Sequence, residues 1–394
     1  MEKILVAQSG GPTSAINATL AGVINYAKRN NFEIIGGLYG ISGILNRNFI
    51  DLSKKIKNDC DLETLKITPS SALGSCRYKL NNSDLEKILQ IFKEENIKYF
   101  IYIGGNDSMD TVDKLSEYFL ENNEDIYCIG APKTIDNDLV LTDHTPGFGS
   151  AAKFVADSIY KVARDIDVYD YKTITIVEIM GRESGFLTAS AMIPKFITNM
   201  GADFIILSED IFDYNKLKKL IDKTFEKKPN ILIAVSEGIK YEDGTYVSED
   251  KTKVDNFGHT KIEQVGTKLK EMLLKDYNLP IRSIELSILQ RASIQSKVDI
   301  EESFSIGEFA AKSVVNCNTS KMVSIERLSD DPYEVKLNLV DVSKVANKVK
   351  KVEKKFIEND YNLNKKFLNY LLPLIQGEPE IQYKNGLPVY FDLK

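Results

Sequence analysis

Short apolar or β-branched runs recur along this chain with amphipathic stretches between them, and that alternation constrains the fold more than any other feature. The runs are Ile4 to Ala7, Phe100 to Ile103, Ile126 to Ile129, Ile174 to Val177, Phe204 to Leu207, Ile231 to Val235 and Ser283 to Leu289. Helical patterns cover Ser14 to Arg29, Ser83 to Glu95, Met109 to Glu121, Ser150 to Asp165, Tyr214 to Glu226 and Lys261 to Lys275, several opened by serine as a cap. Strands that alternate with helices form a mostly parallel sheet, because each helix carries the chain back along its face. Two doubly wound units fit the count, and 394 residues are too many for one ordinary core. The segment Asp143 to Ser150 breaks the pattern and is expected to be the hinge between them.

Composition removes several classes of function. A net charge of -6 gives no basic field, so neither nucleic acid nor an anionic membrane surface is an expected partner. Cys60, Cys76, Cys128 and Cys317 lack CxxC spacing, and with only His144 and His259 they are expected to be buried or semi-buried thiols rather than a zinc site. The opening apolar run is too short for a secretion signal, and no stretch approaches the ~18 apolar residues of a bilayer span, so a soluble cytoplasmic protein is expected. The lysine-rich stretch Lys344 to Lys355 reads as a solvated helix face, and the residues beyond it carry no readable motif.

Polar clusters follow the strands, at the edge where open α/β sheets bind ligands. Pro132-Lys133-Thr134-Ile135-Asp136-Asn137-Asp138 places two carboxylates, a hydroxyl and an ammonium after one of them. With two histidines in the chain, acid/base work falls mainly to carboxylates such as Asp136 and Asp138. Ser9-Gly10-Gly11 and Gly104-Gly105-Asn106-Asp107-Ser108 are glycine turns before helices, suited to cradling phosphate with backbone N–H groups. Asp107 repels an anion in such a cradle unless Mg²⁺ or a lysine neutralises it, and Lys133 is placed to do so. Arg77 and Lys79 are candidate phosphate clamps, Arg182 faces them from the second half, Glu237 suits sugar hydroxyls, and Arg282 and Arg291 suit a second phosphate. Gly147 to Ala152 matches a dinucleotide fingerprint in letters, but no strand precedes it, and no P-loop motif is present.

Taken in order, the glycine turn, Gly74-Ser75-Cys76-Arg77, Gly104-Gly105-Asn106-Asp107-Ser108, Thr134-Ile135-Asp136-Asn137-Asp138, Met180-Gly181-Arg182 and Gln290-Arg291 resemble the 6-phosphofructokinase family. The resemblance spans about Lys3 to Glu326. It implies two Rossmann-like domains with a cleft between them: 1–147 for the donor, completed by about 295–345, 148–294 for fructose 6-phosphate, and 346–394 as an extension on the body or at an oligomer contact. It implies transfer of a phosphoryl group to the 1-hydroxyl of fructose 6-phosphate, with Asp136 as base, Asp138 as its carboxylate neighbour, and Thr134 and Arg182 on the transferred group. Gly11, Arg77, Gly105, Asn106, Asp107, Ser108 and Lys133 match the donor site. Ile135, Met180, Gly181 and Glu237 match the sugar pocket, and Arg282 and Arg291 match 6-phosphate ligands, one of them lent by a neighbouring subunit of a dimer or tetramer.

Asp107 and Lys133 stand where ATP-dependent members have glycine and resemble the pyrophosphate-dependent type. The Asp107 carboxylate opposes a nucleotide's α-phosphate while Lys133 adds a cation for terminal phosphates. The resemblance also implies Mg²⁺, to which Asn106 or Asp107 would be the nearest ligands; Asn106 replaces a usual aspartate. Thr173 and Ile288 replace expected phosphate ligands, which points to Lys172 or the extension as substitutes. Ala21 and Asn25 replace effector-binding arginines, so simple saturation kinetics are expected. Nearby cations are expected to keep Asp136 ionised at neutral pH. The alternatives are an ATP-dependent phosphofructokinase and a non-catalytic sugar-phosphate sensor.

Overall fold

The apolar runs become strands because β-branched side chains pack well on the pleated surface of a sheet covered on both faces. From the amino end the chain forms β1 (Lys3–Gln8), α1 (Ile16–Arg29), β2 (Glu33–Gly37), α2 (Gly40–Leu45) and β3 (Phe49–Asp51). It continues through α3 (Leu52–Lys55), α4 (Asp59–Lys66), α5 (Asn82–Glu94), β4 (Ile97–Gly104), α6 (Asn106–Glu121) and β5 (Tyr127–Pro132). Next come α7 (Phe148–Ile166), β6 (Thr173–Ile179), α8 (Phe186–Ala189), α9 (Ile193–Thr198), β7 (Phe204–Ile206), α10 (Tyr214–Phe225) and β8 (Asn230–Ser236). The remainder holds β9 (Glu249–Val254), β10 (Thr260–Ile262), α11 (Val265–Leu273), β11 (Ile281–Glu285), α12 (Lys297–Val315), β12 (Lys321–Asp330), β13 (Tyr333–Asp341) and α13 (Lys365–Leu371). This computed structural model describes residues 2–254, 260–262, 264–291 and 294–393, so His259 lies outside the described residues.

Two large sheets result, one of seven strands in the order β13-β12-β5-β4-β1-β2-β3 and one of four in the order β11-β6-β8-β7. The central pairs of the first sheet and every pair of the second are parallel, while β3 and β13 run antiparallel at the edges. Alternation along each strand feeds two layers: Ile4, Val6, Ile101 and Ile129 pack with α1 and α12, whereas Leu5, Phe100 and Cys128 pack with α5 and α6. Because β1 has β2 on one side and β4 on the other, a crevice opens at the carboxyl ends of β1 and β4. Among the described residues no helix is long and apolar enough to cross a membrane.

Several expectations need correction. The run Ser283 to Leu289 is strand only to Glu285; Ser287 takes a φ of 43°, which turns the chain into a short 3-10 helix and leaves Ile288 67% exposed. Among the described residues no serine side chain caps a helix, although Ser296 stands at the start of α12: side-chain caps come from Asp51, Asn58, Asn81, Asp213 and Asn364. Cys60 and Cys317 are exposed, and only Cys128 is fully buried. Lys344 to Lys355 is no continuous helix, and Lys350 turns inward.

The stretch Asp143 to Ser150 connects the first sheet to α7 and is hydrogen-bonded at both ends. The Asp143 N–H donates to Ile325 O at 2.8 Å, and the buried Asp299 carboxylate of α12 accepts from the N–H groups of Gly147 and Ser150 at 2.8 and 2.9 Å, capping α7 from another element. The α1 positions Ala21 and Asn25 face α12, where Ala21 is buried and Asn25 donates to Glu308 at 2.7 Å.

Candidate active site

Adjacent strands β1, β4 and β5 deliver their following loops to one place. Register pairing sets Gln8 beside Ile103 and Gly104 beside Pro132, so the two glycine turns and the Lys133–Asp138 loop lie side by side. The hydroxyls of Ser9 and Ser108 share a 2.8 Å hydrogen bond that joins the two turns. Gly10 has a φ of +77°, and a Cβ there would lie 3.0 Å from the Lys133 Nζ, so both conformation and space favour glycine. Lys133 is buried and donates to Gly11 O at 2.8 Å. α6 begins with no side-chain cap at Gly105, and Gly105, Asn106, Asp107 and Ser108 line the crevice, whereas α1 begins at the buried Ala15, behind that lining.

The Thr134–Asp138 loop is held tightly. Thr134 N–H donates to Pro146 O at 3.2 Å, Thr145 Oγ1 to Thr134 O at 2.8 Å, and Asp136 N–H to Thr134 Oγ1 at 3.1 Å. The carboxylates themselves are less engaged, since Oδ1 of both Asp136 and Asp138 is enclosed with no hydrogen-bond partner. Burial pushes Asp136 up to about 7, with the Asp138 and Glu237 carboxylates adding to it and Arg291 and Lys133 only partly opposing. This overturns the expectation that cations alone keep Asp136 ionised, because residue counting registers the charges and not the loss of water. Burial pulls Lys133 down to about 8 against the pull of Asp136 and Asp138.

The second sheet supplies the opposite wall. Met180, Gly181 and Arg182 follow β6, and Glu237 follows β8. Gly181 has a φ of +126°, and a Cβ there would clash with Ser184 O at 2.5 Å, so glycine is needed for the turn that presents Arg182. Arg182 is exposed and lines a cleft of about 310 Å³ with Asn106, Asp107, Asp136, Asp138 and Asn347. A contiguous cavity of about 550 Å³ holds Gly11, Arg77, Lys79, Gly105, Asp107 and Lys133, so Asp107 belongs to both. The Arg291 guanidinium lies against Gly11, and its charge also acts on Asp136 and Glu237, which places it where the two walls meet.

Arg282 is not brought to this place. It stands second in β11, paired with Thr175 of β6, roughly 13 Å before the carboxyl edge that carries Met180. Its nearest charged partner is Asp165 at 3.7 Å, and both are more than half exposed. Lys172 shares that far edge and sits over the Phe225 ring at 5.0 Å, while the Thr173 hydroxyl donates to Asn230 at 3.0 Å. Ile288 is exposed and likewise makes no part of the cleft lining.

Among the described residues no cluster of three or more His, Cys, Asp or Glu is arranged to hold a metal. The open oxygens of Asp136 and Asp138, with Asp107 on the same cleft, nevertheless suit a hard cation that also takes oxygens from water and a phosphate ligand. Asn106 is less available: its amide donates to Lys348 O and accepts from Asn347 N–H, each at 2.5 Å. Sequence reasoning missed Asn347, Lys350 and Tyr370, which reach the site from the carboxyl-terminal extension. The sole signal was polar, ring-bearing sequence in a region without motifs.

A family model described as phosphofructokinase matches residues 3–314. A pyrophosphate--fructose 6-phosphate 1-phosphotransferase of Halomonas elongata is 35% identical, the alignment covering 97% of this chain and 94% of that protein. The structure of a pyrophosphate-dependent phosphofructokinase from Marinobacter aquaeolei superposes with a TM-score of 0.89 at 31% identity, covering 100% of this chain and 96% of that one. Another, from Nitrosospira multiformis, gives a TM-score of 0.87 at 35% identity over 99% and 95%.

Proposed function

Since the chain belongs to the phosphofructokinase family, we propose that it moves a phosphoryl group from inorganic pyrophosphate to the 1-hydroxyl of fructose 6-phosphate, giving fructose 1,6-bisphosphate and phosphate in a reversible step of glycolysis. One observation carries the donor: the Asp107 carboxylate lines the cavity whose floor holds the buried Lys133 ammonium. A bare diphosphate is attracted to the lysine and clears the carboxylate, whereas a nucleotide sets its α-phosphate against it.

Gly11, Gly105 and Ser108 hold the diphosphate with the uncapped start of α6, and Arg77 and Lys133 neutralise it. Asp136 takes the proton of the 1-hydroxyl as the new phosphorus–oxygen bond forms, and its value of about 7 suits a base working at neutral pH. Asp138 raises the basicity of Asp136 by its own charge, and Thr134 and Arg182 hold the transferred group. The transition state is loose, so positioning and charge neutralisation supply most of the rate. Mg²⁺, which Asp107 and Asp138 would hold, would add to that neutralisation.

Ile135, Met180, Gly181 and Glu237 form the sugar pocket, and Arg291 binds the 6-phosphate. Arg282, on the far edge of the sheet, serves the site of a neighbouring copy, and the exposed Ile288 suits a face that another subunit covers. The working form is therefore a homo-oligomer, in the cytoplasm where these charged phosphates are retained. Initial rates with pyrophosphate and with ATP at equal Mg²⁺ test the reading. At least a ~100-fold preference for pyrophosphate in kcat/KM is expected, about 2.7 kcal/mol of discrimination; equal rates with ATP would overturn the donor.

A further inference from the structure

We propose that Lys350 and Tyr370, both from the carboxyl-terminal extension, are positioning residues that set the direction of the Asp136 and Asp138 carboxylates by clamping Asn137 between them. This rests on the reading of Asp136 as the base.

Asn137 has a φ of 54°, in the left-handed region that asparagine enters more readily than other non-glycine residues, which turns the chain between the two carboxylates. Its side chain is fully buried and held from both ends. The amide nitrogen donates to Tyr370 Oη at 2.7 Å, and Oδ1 accepts from Lys350 Nζ at 3.0 Å. Lys350 Nζ also donates to Thr142 O at 3.2 Å and Asp143 O at 2.9 Å, so all three ammonium donors are used on one turn of chain. The Lys350 backbone N–H donates to Asp138 O at 2.7 Å, and Tyr370 Oη donates to Asp143 O at 2.9 Å. The two residues thus fasten both ends of the 137–143 turn.

The consequence follows from what the neighbouring carboxylates lack. Asp136 Oδ1 and Asp138 Oδ1 have no hydrogen-bond partner, and what Asp138 has comes from its own loop, the Thr134 hydroxyl and its own N–H, so the aim of both carboxylates follows the loop backbone on either side of Asn137. An error of about 1 Å in a reacting group is enough to cost ~10²-fold in rate. The extension therefore completes the catalytic loop from 213 and 233 positions away.

The test is steady-state kinetics of Lys350→Met and Tyr370→Phe, with amide hydrogen exchange of peptides covering 134–145. Lys350→Met should lower kcat about 30- to 100-fold and Tyr370→Phe about 3- to 10-fold, with KM for pyrophosphate and fructose 6-phosphate within about twofold of wild type. Because both act through Asn137, the double variant should lose less than the product of the two, and exchange in 137–143 should quicken. A kcat within twofold of wild type in both variants, or a rise in KM at unchanged kcat, overturns the proposal. Should Lys350→Met fail to fold, Tyr370→Phe alone decides. If wild type shows no transfer from pyrophosphate, the functional reading fails, and unchanged exchange in both variants separately refutes the clamp.

Discussion

On one wall of the cleft, Gly10, Gly11, Lys133 and Asp107 converge within one chain, whereas on the second sheet Met180 and Arg182 follow β6 at its carboxyl edge while Arg282 stands near the start of β11, at the opposite edge. The difference follows from strand direction. Loops after parallel strands gather at one edge, so donor groups carried on the loops after β1, β4 and β5 meet automatically. Arg282 sits at the start of a strand, and no packing within this chain carries it to the other edge. Within one chain the loops after β1, β4 and β5 thus meet in a single cavity, while Arg282 stays on the far edge of its sheet.

The comparison can be broken first at the atom both halves share. Asp136→Ser should lower kcat about 10³-fold while leaving the affinity for pyrophosphate and fructose 6-phosphate nearly unchanged, as read by stopped-flow turnover and calorimetric binding. A sugar-phosphate sensor would show no turnover to lose. Asp107→Gly with Lys133→Gly should reduce kcat/KM for pyrophosphate about 10²-fold and raise it for ATP; no movement toward ATP would leave the donor argument without support. Arg282→Ser should raise KM for fructose 6-phosphate about tenfold and leave KM for pyrophosphate alone. Mixing unfolded Arg282→Ser and Asp136→Ser chains and refolding them together should yield a fraction of sites with wild-type kcat and wild-type KM for fructose 6-phosphate, a combination neither variant shows alone, and failure to do so would return Arg282 to its own chain's surface.

Smaller effects come from pH. The base form of Asp136 is needed, so kcat/KM should fall as pH drops through about 7 and level off above it. Stability should show a separate trend in His144. Burial pulls its imidazole down, yet Glu302 at 2.6 Å and the Asp143 carboxylate outweigh that and raise it to about 9. A group raised in the folded state stabilises fully below its unfolded value near 6.5 and loses that contribution as pH rises through about 9. The urea midpoint should therefore decline across that window, and His144→Gln should flatten the decline.

Much of this was legible in the sequence. The strands that hold the site are buried runs whose β-branched residues fit no other role, and Thr134 to Asp138 is contiguous, so its chemistry could be read directly. What escaped was short, half-exposed or remote. β2 is five residues ending in two glycines, and β12 with β13 forms an edge hairpin that alternates between core and solvent. α12 is covered on several sides and so shows little of the one-sided pattern that marks a surface helix. Lys350 lies among lysines that do face water, and nothing in its letters separates it from them. Tyr370 and Asn137 meet only through the fold.

The Asp299 cap ties the start of the second sheet's first helix to a helix that belongs to the first sheet, and it does so right behind the base-bearing loop. Rotation of one lobe against the other would tear a buried carboxylate from two N–H donors with no water to replace them. That carboxylate is therefore a rivet between the two sheets, and its loss would leave two buried N–H groups unpaired directly behind the loop that carries Asp136.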